Sequence, residues 1–250
     1  MPLSGSSQAL AGGSPAAGES AESGYAGLPA RLAEIRQRID EARERGGRKQ
    51  DVRIVAVTKT HGAEAVTAAV AAGIGDVGEN RVQEAIAKMG EVDVAVRWHL
   101  IGHVQRNKVR EAGRFALIHS LDSERLAEAL DREAQREGRV FDVLLQVNAS
   151  GEVSKGGFGT DEVPRVAGQL QSLAGLRVMG SMTMAALGAD EPELRASFAR
   201  ARAARDVLAA AGHPAGEISM GMSQDYEIAV EEGATLVRLG TILFGARETR

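Results

Sequence analysis

Eight short apolar runs, at 53–59, 76–79, 97–101, 116–120, 141–148, 176–182, 217–220 and 236–239, alternate with helix-like segments along most of the chain. The clearest helical patterns are 62–72, 81–89, 123–136, 161–173, 191–211 and 225–232. Strands separated by helices pair in parallel, because a parallel connection needs a crossover. Eight such units in about two hundred residues is the arithmetic of a (β/α)8 barrel. A doubly wound open sheet is the alternative, but the first strand is not followed by a Gly-x-Gly-x-x-Gly turn. The segment LPARLAEIRQRIDEARERGG (28–47) spaces Leu28, Leu32, Ile35 and Ile39 by three and four residues and stops at Gly46 and Gly47. That is an extra amphipathic helix at the N-terminal side. Little chain follows the last strand, so this helix is expected to take the place of the closing one.

No Pro- or Ser-rich linker divides residues 24–250, which read as one domain. Ahead of it, Met1 to Ser23 is rich in Ser, Ala and Gly, with Glu19 and Glu22 and neither Lys nor Arg. This fits no secretory or transit pattern, and the expectation is a disordered leader. A net charge of −4 over 250 residues offers nothing to a phosphate backbone, so nucleic acid is not an expected partner. No apolar run reaches the length of a membrane span, and a membrane is not an expected partner either. Cysteine is absent, which removes disulfide and thiolate chemistry and suits a reducing compartment such as the cytoplasm. A monomer is the expected state.

Barrel sites lie at the carboxyl ends of the strands. The residues there are Lys59 on the first strand, Glu79 and Asn80 on the second, and His99 and His103 at the third. Asn148 ends the fifth, Met182 and Thr183 the sixth, Ser219 and Met220 the seventh, and Arg238 to Thr241 the eighth. Lys59 closes the apolar run RIVAVTK (53–59). Burial there would disfavour its ammonium form, and a neutral lysine amine attacks aldehydes and ketones to form a Schiff base. SMGMSQD (219–225) and RLGT (238–241) bring glycines, hydroxyls and backbone N–H groups to the ends of strands seven and eight, where barrels often hold phosphate. A Schiff-base lysine facing a phosphate cradle suits a phosphorylated aldehyde. Pyridoxal 5′-phosphate and the sugar phosphate of an aldolase both satisfy that description.

His99 and His103 are four apart, but Gly102 and the strand setting of His99 should make them diverge rather than share a metal. The acids and arginines of 131–137 read as a solvated helix face. Met179, Met182, Met184, Met220 and Met222 could wall a ring, although strand-end methionines usually fill cores. Glu79 could serve as a base, or hold a nearby amide or Arg81.

Together VTKT (57–60), GENRVQE (78–84), WHLIGHVQRNK (98–108), KGGF (155–158), SMGMSQD and VRLGTILFG (237–245) resemble the pyridoxal phosphate homeostasis protein family, in order and over nearly all of the chain past its leader. The resemblance implies a single barrel like the N-terminal domain of alanine racemase. It implies pyridoxal phosphate held as an aldimine on Lys59, with Asn80 beside it and Arg238 facing the pyridine nitrogen. Ser219, Ser223, Gly240 and Thr241 match the phosphate-side segments, and Met220 is counted among the cofactor-binding residues. The implied role is a carrier or buffer of vitamin B6, with pyridoxal phosphate-dependent apoenzymes as recipients and no robust turnover. A racemase-like enzyme is the alternative, although only Tyr25 and Tyr226 could supply a second acid/base. Ser181 stands where the family usually has a larger apolar residue, which bears on packing beneath the ring.

Overall fold

Hydrogen-bond register runs parallel from each strand to the next and returns to its starting point. In a computed structural model of the chain, which describes residues 24–149 and 156–245, the first four strands are β1 (Arg53–Val57), β2 (Asp76–Glu79), β3 (Arg97–Leu100) and β4 (Leu117–Leu121). They are followed by β5 (Phe141–Asn148), a two-residue β6 (Phe158–Gly159), β7 (Leu176–Met182), β8 (Glu217–Ser219) and β9 (Leu236–Leu239). The strand order is β4-β3-β2-β1-β9-β8-β7-β5, and the β4–β5 pairing closes the ring. All eight expected strands are present, and the sheet is a barrel rather than an open doubly wound one. Among the described residues short β6 pairs only with β5 and adds nothing to the closure.

The helices are α1 (Leu28–Arg45), α2 (Ala63–Ala71), α3 (Val82–Glu91), α4 (Glu124–Glu137), α5 (Val163–Leu170), α6 (Glu191–Ala210), α7 (Tyr226–Glu231) and α8 (Thr241–Phe244). Between β3 and β4 the crossover is a 3-10 helix, Arg106–Arg114, which the sequence pattern did not announce. Only Val109 and Ala112 are buried in it, too thin a stripe for a helical periodicity. The expected closing role of α1 is what the structure shows. Its Leu28, Leu32, Ile35, Ile39 and Ala42 are buried, and Arg31 Nε donates to Leu243 O of one-turn α8 at 2.7 Å. Burying each of its larger apolar side chains is worth roughly 1.5–3 kcal/mol. Arg45 adds a 2.7 Å ion pair to Glu231 of α7.

Strand alternation divides the core in two. Outward residues such as Ile54, Val77, Leu100, Ile118 and Val237 pack under the helices. Inward Val55, Leu117, Leu144, Met182 and Leu236 form a separate cluster inside the barrel. Below that cluster the strand N-termini carry ions: Arg97 pairs with Asp76 at 2.7 Å, and Arg53 with Glu217 at 2.5 Å and Asp76 at 3.6 Å. Two expectations change at this scale. Asp131 and Glu133 of α4 are buried, not solvated, and Asp131 Oδ1 accepts from Gly175 N at 2.7 Å to anchor the turn before β7. Ser181 points outward and donates to Ala201 O of α6 at 2.8 Å, so it lies behind the sheet and away from the barrel mouth. The leader 1–23 and Lys155 of the KGGF segment lie outside the described residues.

Candidate functional site

Lys59 follows β1 at the inward parity of Val55 and Val57, and its side chain is half-buried. The strand gives way at Thr58 to a turn closed by His61 N donating to Thr58 O at 3.1 Å. Thr60 occupies that turn at φ +69°, a left-handed conformation that β-branched residues avoid. The turn therefore holds the lysine at some cost in backbone strain. Next door, Asn80 follows β2, and Gly102 lies so close that a Cβ there would meet Asn80 O at 2.3 Å. Only glycine allows the β3 end to pack against the Asn80 backbone.

Arg238 enters the barrel from β9, in register with Val55 of β1. It is buried, and its guanidinium donates from Nη1 to Ser219 Oγ at 2.6 Å and from Nη2 to Thr183 O at 2.8 Å. Burial pushes its pKa down to about 10, against the raising influence of Asp225, so it is cationic at neutral pH. Ser219 Oγ also meets His119 Nδ1 at 2.9 Å, His119 Nε2 meets His99 Nδ1 at 2.8 Å, and His99 Nε2 meets Asp76 Oδ1 at 2.7 Å. Burial foremost, then His99, Arg238 and Arg53, holds the His119 imidazole well below its ordinary pKa. Burial would raise the Asp76 carboxyl, but hydrogen bonds from His99 and Arg97 hold it below its ordinary value.

The loops after β8 and β9 meet beside β1. Ser223 Oγ faces Ile242 N at 3.4 Å, Met222 N donates to Asp225 Oδ1 at 2.5 Å, and Arg238 N donates to Gly221 O at 3.0 Å. Gly221 has φ +89°, and a Cβ there would press on Ala229 Cβ at 2.6 Å, so this turn requires glycine. Gly240 follows Leu239, which registers with Ala56, and Thr241 opens α8. Lys59, Asn80, Arg238, Ser223, Gly240 and Thr241 thus belong to one mouth.

Two of the expected site residues sit differently. Ser219 does not join Ser223: its hydroxyl is engaged by Arg238 and His119 inside the barrel. Met220 has its side chain in the outer core, because it takes the parity opposite to Ser219. Its contribution to the mouth is backbone alone. Glu79 is also turned outward, where it accepts from Thr58 Oγ1 at 2.5 Å and Lys88 Nζ at 2.6 Å, while Arg81 pairs with Glu84. His99 and His103 diverge: His99 is inside, while exposed His103 bonds Asp122 at 2.7 Å on the rim. Among the described residues no group of three His, Asp or Glu side chains could hold a metal. Sequence reasoning overlooked His119 and Asp76. Their signal was parity, a histidine and an aspartate at inward positions of strands otherwise apolar within.

Residues 30–248 match the family model described as "Alanine racemase, N-terminal domain". The pyridoxal phosphate homeostasis protein of Pseudomonas aeruginosa is 41% identical over 220 residues, 87% of this chain and 94% of that one. The protein of that name from Aquifex aeolicus is 38% identical, covering 87% of this chain and 97% of its own. PipY of Synechococcus elongatus, solved with PLP bound, superposes with a TM-score of 0.76 at 39% identity, over 87% of this chain and 100% of that chain. The alanine racemase of Corynebacterium glutamicum, 14% identical with a TM-score of 0.68 over 90% of this chain and 62% of its own, shares the fold.

Proposed function

Because the chain belongs to the pyridoxal phosphate homeostasis protein family, we propose that its barrel mouth binds pyridoxal 5′-phosphate covalently through Lys59 and stores or hands on the cofactor. The observation that carries this reading is the convergence of Lys59, buried Arg238 and the Ser223 and Gly240–Ile242 loops on one mouth. The donor set fits the cofactor's chemistry: an amine for an aldehyde, a guanidinium for a ring nitrogen, and hydroxyl and amide donors for a phosphate. When bound, pyridoxal phosphate supplies an aldehyde that captures amines and a ring that can accept electrons.

The residues of the chain divide that work. Lys59 supplies the bond, held by the turn at Thr60. Asn80 lines the adjacent strand end. Ser223 and the amides around Gly240 and Thr241 receive the phosphate. Arg238 donates to the ring nitrogen and, being cationic at neutral pH, leaves that nitrogen unprotonated. With its nitrogen unprotonated the ring would be a weak electron sink, which is compatible with storage but does not by itself argue against turnover. Delivery to pyridoxal phosphate-dependent apoenzymes in the cytoplasm belongs to the same proposal, supported by the cysteine-free sequence and the homeostasis named for the relatives.

A racemase-like activity would need a second acid/base at the mouth. Tyr25 Oη lies 3.3 Å from His61 Nδ1 and its ring packs edge-on against Phe244. Burial and then Glu64 raise its pKa, away from that of a working base. Tyr226 is buried in α7, where burial and then Glu227 raise its pKa. Neither observation favours turnover.

The test is an absorption titration with pyridoxal phosphate, wild type beside Lys59→Ala. A visible band in the wild type alone is the expected result, and no band in either protein refutes the cofactor reading. Incubating the loaded protein with amino acids in deuterium oxide checks the storage role. Exchange of the α-hydrogen at catalytic rates would replace that role with an enzymatic one.

A further inference from the structure

The hydrogen-bond chain inside the barrel has a pure donor at one end and a pure acceptor at the other. Arg238 can only donate, and the Asp76 carboxylate can only accept. Between them stand Ser219, His119 and His99, linked in steps of 2.6, 2.9, 2.8 and 2.7 Å from β9 through β8, β4 and β3 to β2. We propose that His119 and His99 are positioning residues for the cofactor's ring nitrogen, forming with Ser219 and Asp76 a one-directional chain that fixes where Arg238 stands. The inference rests on the cofactor reading above.

The direction follows from counting protons. Arg238 Nη1 gives a hydrogen to Ser219 Oγ. The Asp76 carboxylate can only accept, so a neutral His99 facing it accepts at Nδ1 from His119 Nε2. That leaves His119 Nδ1 to accept the single hydroxyl proton of Ser219. A neutral His119 therefore carries its proton on Nε2 and donates to His99 Nδ1. His99 in turn carries its proton on Nε2 and donates to Asp76 Oδ1, while Arg97 holds Asp76 Oδ2. Each step along the path pairs one donor with one acceptor. An added proton on the imidazole pair would reverse His119 Nδ1 from acceptor to donor and strand the Ser219 hydroxyl proton. His119 is fully buried with Arg238 and Arg53 in range, which opposes that proton. With Nη1 tied to this chain and Nη2 to Thr183 O, the guanidinium has one orientation. Anchoring of that kind sets the precision of a first contact.

Two measurements test it. In 15N-labelled protein without cofactor, long-range 15N–1H correlation at neutral pH is expected to show His119 and His99 both protonated on Nε2. A proton on Nδ1 of His119 overturns the chain's direction, whatever the protein binds. With 15N-labelled pyridoxal phosphate, the wild type is expected to keep an unprotonated ring nitrogen. His119→Phe should move that resonance toward the protonated position and weaken affinity roughly tenfold, the scale of a lost hydrogen bond to a charged group. Ser219→Ala cuts the same link with loss of one oxygen and serves if His119→Phe does not fold. Covalent uptake with an unaltered ring resonance and affinity in a folded variant overturns the inference and leaves the cofactor reading intact. Failure of the wild type to take up pyridoxal phosphate overturns both.

Discussion

Thr60 takes φ +69° immediately after Lys59, at the turn position where glycine is the usual residue. A β-branched side chain there stores strain of about 1–3 kcal/mol. Thr60→Gly relieves it and gives back part through chain entropy, for a net stabilisation of roughly 0.5–1 kcal/mol. Urea unfolding measures this directly, and a destabilised variant would mean that the turn is not strained. The same substitution loosens the hold on Lys59, so cofactor uptake by the proposed site should weaken as stability rises. Neither the strain nor its place beside the lysine was legible from the string VTKT, because φ is set by how β1 ends and not by residue type.

At the scale of elements, α3 is tied to the barrel by a buried ion pair. Lys88 Nζ reaches Glu79 Oε1 at 2.6 Å and Thr58 O at 2.7 Å, joining α3 to the ends of both β1 and β2. Glu79 is wholly buried and its second oxygen has no hydrogen-bond partner. Removing the lysine alone would leave that carboxylate without its counter-charge, which typically costs 3–5 kcal/mol. Lys88→Met is therefore expected to lose about 3 kcal/mol in denaturant unfolding. The double variant Lys88→Met with Glu79→Leu should recover part of the loss, since an apolar pair of similar volume often replaces a buried ion pair, while buried Thr58 still loses both its partners. Equal destabilisation by single and double variants would show that the pair itself was the stabilising element. Lys88 drew no attention in the sequence, and only the packing of α3 on β2 buries it.

For the molecule as a whole, the buried imidazole of His119 ties stability to pH. Its folded pKa lies well below the ordinary 6.5. Below that value the unfolded chain takes up a proton at this ring that the folded barrel does not. Stability therefore falls as pH drops, by up to about 1.4 kcal/mol per pH unit, until the folded ring itself titrates. Asp76, whose folded pKa is also depressed, loses its contribution only at lower pH, through and below its ordinary 3.8. Urea unfolding between about pH 7 and pH 5 should show the His119 slope in the wild type and its absence in His119→Phe. Equal slopes in the two proteins would refute the assignment.

By itself the sequence determined the architecture. Apolar runs alternating with amphipathic helices carry their own periodicity, and eight of them without a Gly-x-Gly-x-x-Gly turn after the first favour a closed parallel ring over an open doubly wound sheet. It also gathered the candidate residues Lys59, Asn80, Ser223, Gly240 and Thr241 at the carboxyl side of the strands, with Arg238 one residue before the end of its own. What only the tertiary structure decided is which way those side chains turn and whom they meet. A shift of one residue in parity separates Ser219, engaged with Arg238 inside, from Met220, lost to the outer core. Closure of the barrel brings His119 within reach of Ser219 a hundred residues away. Contacts of that kind depend on strand stagger and the inward face of a curved sheet, which no local pattern encodes.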